Sequence, residues 1–292
     1  MSIIFISDIL LAVIALAWII AAAIVDLKKR EVPNWLSFSL IAIAIAIRGM
    51  AALLSAEPFY FFYGVIAFAI GFGIANALYY GRLFGGGDAK LLMGIMTAFA
   101  TAPFFAKIPI ATAEPFLLSF GINALTIAFV YGILFAVYAA VKNRKMFSVE
   151  FRKNRDKAKK AMFCFVAIAV ALIAATFFVS FKIPLITLAV ISIILPFLFM
   201  FIKAVESSSM IKSTRPENLT EGDMLAKEIK IKNMKIMPCV HGLSLREIAL
   251  LRKAGKPVLI KQGLPFVPVL LAAIILSLLF GDLLMSLISL II

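Results

Sequence analysis

The chain has 292 residues, 64% of them apolar and 15% charged, against roughly 45–50% and about 25% in soluble domains. A soluble globule is excluded, because too little polar surface remains to cover a core of that size. The 29 Lys and Arg outnumber the 15 Asp and Glu for a net charge of +14, which in a chain built for a bilayer reports topology rather than a nucleic-acid partner.

The opening segment, MSIIFISDILLAVIALAWIIAAAIVD, lacks a basic leader region, and its apolar run exceeds the roughly 7–15 residues of a signal-peptide core. It reads as a retained first span. Runs able to cross about 30 Å of hydrocarbon at about 1.5 Å per residue follow in order. They are expected at 3–25, 35–54, 59–80, 89–105, 116–141, 161–181, 185–202 and 266–286. The fourth is the shortest, and Pro196 inside the seventh predicts a kink. No repeat of the kind found in transporters built from two matching halves is visible.

The pattern predicts an all-α polytopic membrane protein of about eight transmembrane helices, with a small cytoplasmic α+β segment before the last. Residues 1–202 form a bundle of seven spans carrying a basic cytoplasmic loop at 142–160. Residues 203–265 form the cytoplasmic segment, and 266–292 hold the final helix. Within 203–265, LREIALLRKAGKPVLIKQG reads as a short helix closed at Gly255, then an apolar strand.

With the N-terminus outside, the loops 26–34, 81–90, 142–160 and 203–265 share one side and carry 3, 2, 9 and 12 Lys and Arg, 26 of the chain's 29. The remaining three, Arg48, Lys107 and Lys182, fall near the opposite side. Setting aside the long last loop still leaves 14 against 3, so the positive-inside rule makes these four loops cytoplasmic. The loop 142–160 reads as a topology anchor and a contact for anionic membrane lipids.

Two acidic residues stand apart from the others. Asp26 follows the first span in IVDLKKREVPNW, and Asp88 precedes the fourth in RLFGGGDAKLLMG. Odd and even spans run in opposite directions, so both carboxyls lie at the same cytoplasmic depth and meet if the two helices pack side by side. Carboxyls at the edge of a bundle are costly and more often functional than decorative. Bland readings exist for each: Asp26 as an interfacial carboxylate neutralised by Lys28, Lys29 and Arg30, Asp88 as a helix N-cap. The run Gly85, Gly86 and Gly87 tips the balance, since it leaves backbone amides to be satisfied at membrane depth and lets a bound extended chain come close. It lacks the Gly-Lys-Ser/Thr continuation of a nucleotide-binding P-loop.

Two facing aspartates share a proton and titrate as a unit. One then activates a water while the other donates a proton toward a peptide carbonyl. His241, the only histidine, leaves no His-based zinc site and no partner for a Ser or Cys nucleophile. Cys164 and Cys239 are too few and too far apart for a disulfide framework or a Cys-rich zinc site. No metal or other cofactor is expected. A rival reading, an ion-coupled transporter, predicts carboxylates near the midplane instead.

These residues resemble the GxGD aspartyl proteases of the type IV prepilin peptidase family, archaeal preflagellin peptidases included. The family's first aspartate lies in an Asp-x-x-x-x-x-hydrophobic-Pro-Asn context, matched by DLKKREVPN from Asp26 to Pro33 and Asn34. Its second lies in GxGD followed by a basic residue and an apolar helix, matched by GGGDAKLL with Lys90. The segment LPFVPVLL, from Leu264 to Leu271, is similar to a Pro-Phe-x-Pro segment opening a late helix in bacterial relatives.

The resemblance implies an aspartic endopeptidase with Asp26 and Asp88 as catalytic residues. It implies Gly85, Gly86, Gly87, Lys90, Pro33 and Asn34 as motif and substrate-loop residues. The implied substrates are prepilin or preflagellin-like proteins whose short basic leader is removed at the cytoplasmic face of the cell membrane. Bacterial members often add a domain with a paired CxxC zinc site and methyltransferase activity, which two isolated cysteines cannot supply. Presenilin-like proteases share GxGD, but their first aspartate follows a tyrosine and they carry Pro-Ala-Leu. Here Val25 precedes Asp26, and the triplet is absent.

Overall fold

A computed structural model of the chain describes residues 3–81, 83–103, 106, 116–177, 182–231, 234–239, 242–255, 257–261 and 263–283. His241 lies outside them. In chain order the helices are α1 Ile3–Lys29, α2 Asn34–Ser55, α3 Pro58–Tyr80, α4 Gly86–Ala98, α5 Phe116–Lys142, α6 Arg144–Ala175, α7 Lys182–Val205, α8 Leu245–Ala254 and α9 Val267–Phe280. The strands are β1 Ile211–Thr214, β2 Met224–Leu225, β3 Ile229–Ile231, β4 Met234–Ile236 and β5 Val258–Lys261. The protein is a polytopic membrane protein. Five apolar stretches have the length and composition to cross a bilayer: α1, α2, α3, α5 and the run Leu188–Met210. Met162–Ala175 and α9 are shorter apolar helices.

The chain divides into two compact units, Met1–Gly132 with Gly263–Ile292, and Ile133–Gln262. In the first, α4 packs against α1, α2 and α3, and α1 also packs against α9. Helices in lipid gain nothing from hiding leucine from leucine, so close approach of backbones and polar links must hold them. Small residues serve that approach on α1, whose buried face includes Ala12, Ala15, Ala22 and Ala23. Gly94 of α4 does the same: a Cβ there would come within 2.9 Å of the Leu40 side chain of α2.

The fourth apolar run behaves differently from its expectation over 89–105. Its helix stops at Ala98 after 13 residues, about 20 Å of rise, which is short of a full crossing. A helix end inside a bundle leaves carbonyls without partners. Arg48 of α2, fully buried, supplies the donors. Its Nε donates to the Thr97 carbonyl at 2.9 Å and its Nη2 to the Ala98 carbonyl at 3.0 Å and to Thr101 Oγ1 at 3.1 Å. A further bond from Nη1 to the Tyr60 carbonyl at 3.2 Å and the Tyr60 ring 4.6 Å away complete its surroundings. Asp8 closes the network, accepting from Tyr60 Oη at 2.7 Å and Thr101 Oγ1 at 3.1 Å. At the end of α9, buried Asn123 of α5 plays the same part. It donates to Ser277 Oγ at 2.8 Å and the Gly281 carbonyl at 2.7 Å, and accepts from the Leu283 N–H at 3.0 Å.

In the second unit, α6 and α7 lie side by side and antiparallel, with Phe147 near the start of one against Phe201 near the end of the other at 5.4 Å. The helix α7 runs on through Pro196. Residues 144–160 are not a loop: they form the first half of the 32-residue α6. The small α+β segment has a three-stranded antiparallel sheet in the order β1-β5-β2, a β3–β4 hairpin, and a core that includes Leu219, Leu225, Ile248, Leu251 and Val258. Ser244 and Glu247 cap α8 reciprocally, and Gly255 closes it at φ 65°. This is the helix and strand that the sequence predicts there.

Candidate active site

Asp26 sits in the last turn of α1 and is 3% exposed. A carboxylate so enclosed needs donors, and the first comes from a distant part of the chain. Its Oδ2 accepts the backbone N–H of Val267, the first residue of α9, at 3.0 Å. The start of a helix offers unpaired amides and the positive end of the backbone dipole, so it suits an anion. The segment Leu264–Leu271, noticed in sequence only for its Pro-Phe-x-Pro pattern, is thus the backbone support of Asp26. Pro268 fits beside it because a proline in the first helical turn gives up no intrahelical bond.

Asp88 is the third residue of α4. Its Oδ2 accepts the N–H of Gly85 at 3.2 Å, the carboxylate half of a capping box; Gly85 has no side chain to supply the other half. Asp88 stands ahead of the apolar run of α4, outside the five stretches long enough to cross a bilayer. Burial first, then the negative charge of Asp26, pushes its carboxyl up to about 7, against the lowering effect of the Gly85 N–H. The structure therefore brings the two aspartates within electrostatic reach, and α1 and α4 are packed neighbours.

The glycines divide by role. Gly85 is extended, at φ −71° and ψ 159°, whereas Gly86 and Gly87 already belong to the first turn of α4. A Cβ at Gly87 would come within 2.8 Å of Val32 Cβ and 3.0 Å of the Val32 carbonyl oxygen, so only glycine lets the head of α4 rest on the α1–α2 connection. Gly86 lies over Tyr79, 3.6 Å from where its Cβ would be. The three-glycine loop expected from sequence is therefore one extended glycine and a helix start.

Lys90 and Asn34 are brought together: Lys90 Nζ donates to Asn34 Oδ1 at 2.7 Å and lies 5.3 Å from the centre of the Phe38 ring. Pro33 precedes α2 in an extended conformation, at φ −60° and ψ 136°. Together these contacts fasten the connection after Asp26 to the helix that bears Asp88. Two further ties involve the start of α9. Phe84 packs on Phe266 with ring centres 4.6 Å apart, and Arg30 donates from Nη1 to the Gly263 carbonyl at 3.1 Å. Arg30 itself ends α1 in the left-handed region, at φ 57°.

Sequence reasoning missed the Val267 amide, because a backbone donor has no residue identity. It also missed Tyr131 of α5, which lies within electrostatic reach of Asp26 and Arg30. Among the described residues, no group of three His, Cys, Asp or Glu side chains gathers where a metal ion would sit.

Residues 13–140 match the family model described as the type IV leader peptidase family. A prepilin peptidase, EppA of Methanothermobacter thermautotrophicus, is 24% identical over 198 residues, covering 65% of this chain and 51% of that protein. The chain thus spans about half the length of the curated relative it matches. No solved structure matches. Residues 13–140, which carry both Asp26 and Asp88, are thus similar to the type IV leader peptidase family.

Proposed function

We propose that this protein is a membrane-embedded aspartic endopeptidase that removes the short basic leader from prepilin or preflagellin-like substrates at the cytoplasmic face of the cell membrane. The observation that carries the reading is the placement of Asp88, at the head of α4, within reach of the charge of Asp26, in the last turn of α1. Both groups sit at helix ends, level with the junction between a soluble leader and an apolar helix, and not midway along their helices as an ion carrier requires. The excess of Lys and Arg on one side supports the cytoplasmic assignment.

In this mechanism Asp26, held by the Val267 amide, is the ionised member, and Asp88 carries the shared proton. Asp26 takes a proton from a water as its oxygen bonds to the scissile carbonyl carbon, and Asp88 gives its proton to the carbonyl oxygen. Collapse of the resulting gem-diol breaks the C–N bond. A proton returned by Asp26 leaves with the amine, and Asp88 regains its own from the collapsing hydroxyl. The first N–H groups of α4, at Gly86 and Gly87, have no intrahelical partners and are donors for the substrate backbone. Gly85 is not, since its N–H is spent on Asp88. Lys90, Asn34 and Pro33 position this loop, and lipids surround the bundle.

The test is cleavage of a prepilin by the detergent-solubilised protein. Asp26→Asn and Asp88→Asn are each expected to abolish the shortened product while inserting normally, because asparagine keeps the shape but cannot exchange the proton. Product formation by either variant would refute the assignment.

A further inference from the structure

The first half of α6 carries a stripe the peptidase chemistry does not use. Arg144, Phe147, Ser148, Phe151, Arg152 and Arg155 recur at helical spacing and, with Ala140 and Val141 of α5, line a groove of about 530 Å³. The three guanidinium groups are exposed, and among the described side chains none is ion-paired. Glu150, the nearest described carboxylate in sequence, is engaged by Lys153 at 3.5 Å. Phe147 and Phe151 stack with centres 5.7 Å apart and form the half-buried apolar wall. Around the groove, Val137, Val141, Met146 and Val149 are exposed. On α7, which the same half of α6 accompanies, so are Leu198, Phe199 and Ile202.

Exposed positive charge set into apolar surface selects among partners. A basic leader peptide is repelled. A nucleic acid gains from the arginines but nothing from the aliphatic rim around them. An amphiphile with an anionic head satisfies both halves: guanidinium forks bind a phosphate with paired N–H donors, and chain methylenes cover the aromatic wall. We propose that this groove is a binding site for a single anionic phospholipid, its phosphate held by Arg144, Arg152 and Arg155 and its upper acyl chain laid along Phe147, Phe151 and Val141. This assigns one discrete lipid site rather than a general attraction of basic loops to membranes, and it stands whether or not the protein is a peptidase.

The experiment is native mass spectrometry of the full chain purified in a neutral detergent, with phosphatidylglycerol, phosphatidylcholine or glycerol 3-phosphate added. One phosphatidylglycerol should stay bound under activation that strips phosphatidylcholine. Its affinity should fall about tenfold or more in R144Q/R152Q/R155Q, the loss of on the order of one charge-assisted contact. The charge-matched control K145Q/K203Q/K212Q should retain binding within about twofold, since exposed lysines elsewhere supply only screened long-range attraction. The arginines are exposed, so neither variant threatens folding. Equal retention of phosphatidylcholine, unchanged binding in the arginine variant, or equal loss in both variants would overturn the site. So would binding of glycerol 3-phosphate as tight as that of the lipid, which would assign the arginines to a free phosphate ligand.

Discussion

Asp88 and Gly87 are adjacent residues with different physical tasks, and each yields its own prediction. The Asp88 carboxyl is raised to about 7 by burial and by the charge of Asp26. A raised acid keeps its proton below that value and loses it above. If Asp88 donates to the scissile carbonyl, kcat/KM should therefore hold below that value for as long as Asp26 stays ionised, and fall tenfold per unit, as expected for loss of one proton, once the pH passes about 7. A prepilin cleavage series from acid to alkaline pH checks this; an unchanged rate well above that value would show that Asp88 is not the acid. Gly87 acts through space. A methyl there meets both the Val32 side chain and its backbone oxygen, and backbone cannot swing aside as a flexible side chain would. Gly87→Ala should push the head of α4 off the α1–α2 connection and lower kcat by about tenfold or more, since small displacements of catalytic groups are costly. Gly73→Ala, where a Cβ meets nothing within 4 Å, should leave cleavage unchanged in the same assay.

At the scale of elements, α4 is the helix whose length is set by a partner. Arg48 holds the Thr97 and Ala98 carbonyls, so it fixes where α4 ends and, through a 13-residue rigid helix, where Asp88 begins. Arg48→Met removes those donors and leaves Asp8 facing a lost positive charge. Several buried acceptors without donors should cost on the order of 3 kcal/mol, seen as a fall in Tm of the detergent-solubilised protein with a parallel loss of cleavage. Arg48→Lys should recover part of the stability, because one ammonium reaches fewer of the carbonyls.

The same helix shows what sequence can and cannot reveal. Apolar runs about 20 residues long announce α2, α3 and α5 to within a residue at each end, and α1 except for its last turn, because only a helix satisfies the backbone in hydrocarbon. The apolar signal of the fourth run continued past Ala98, and nothing local says that an arginine 49 residues earlier ends the helix. Likewise the charge of residues 142–160 reads as a loop, whereas 144–160 are helical and run alongside α7. Of the proposed site, Asp26 and Asp88 stand out in the sequence as rare carboxyls at span ends. Val267 was not, since its contribution is an amide that any residue but proline would offer.

For the whole molecule, the orientation proposed from charge predicts that the small α+β segment, like the helix ends that bear both aspartates, faces the cytoplasm. Cys239 is an exposed free thiol in that segment, so the protein carries its own reporter. With Cys164 changed to serine, a membrane-impermeant maleimide should label Cys239 in inverted membrane vesicles and not in intact cells. Glu57→Cys, between α2 and α3, in a protein that lacks both native cysteines should show the opposite pattern. The two ends of α2 lie on opposite faces if it spans, so the paired result tests the span and the orientation together. Labelling of Cys239 from outside intact cells would place the aspartates on the outer face, away from a leader peptide that begins in the cytoplasm, and the proposed cleavage would have no substrate there.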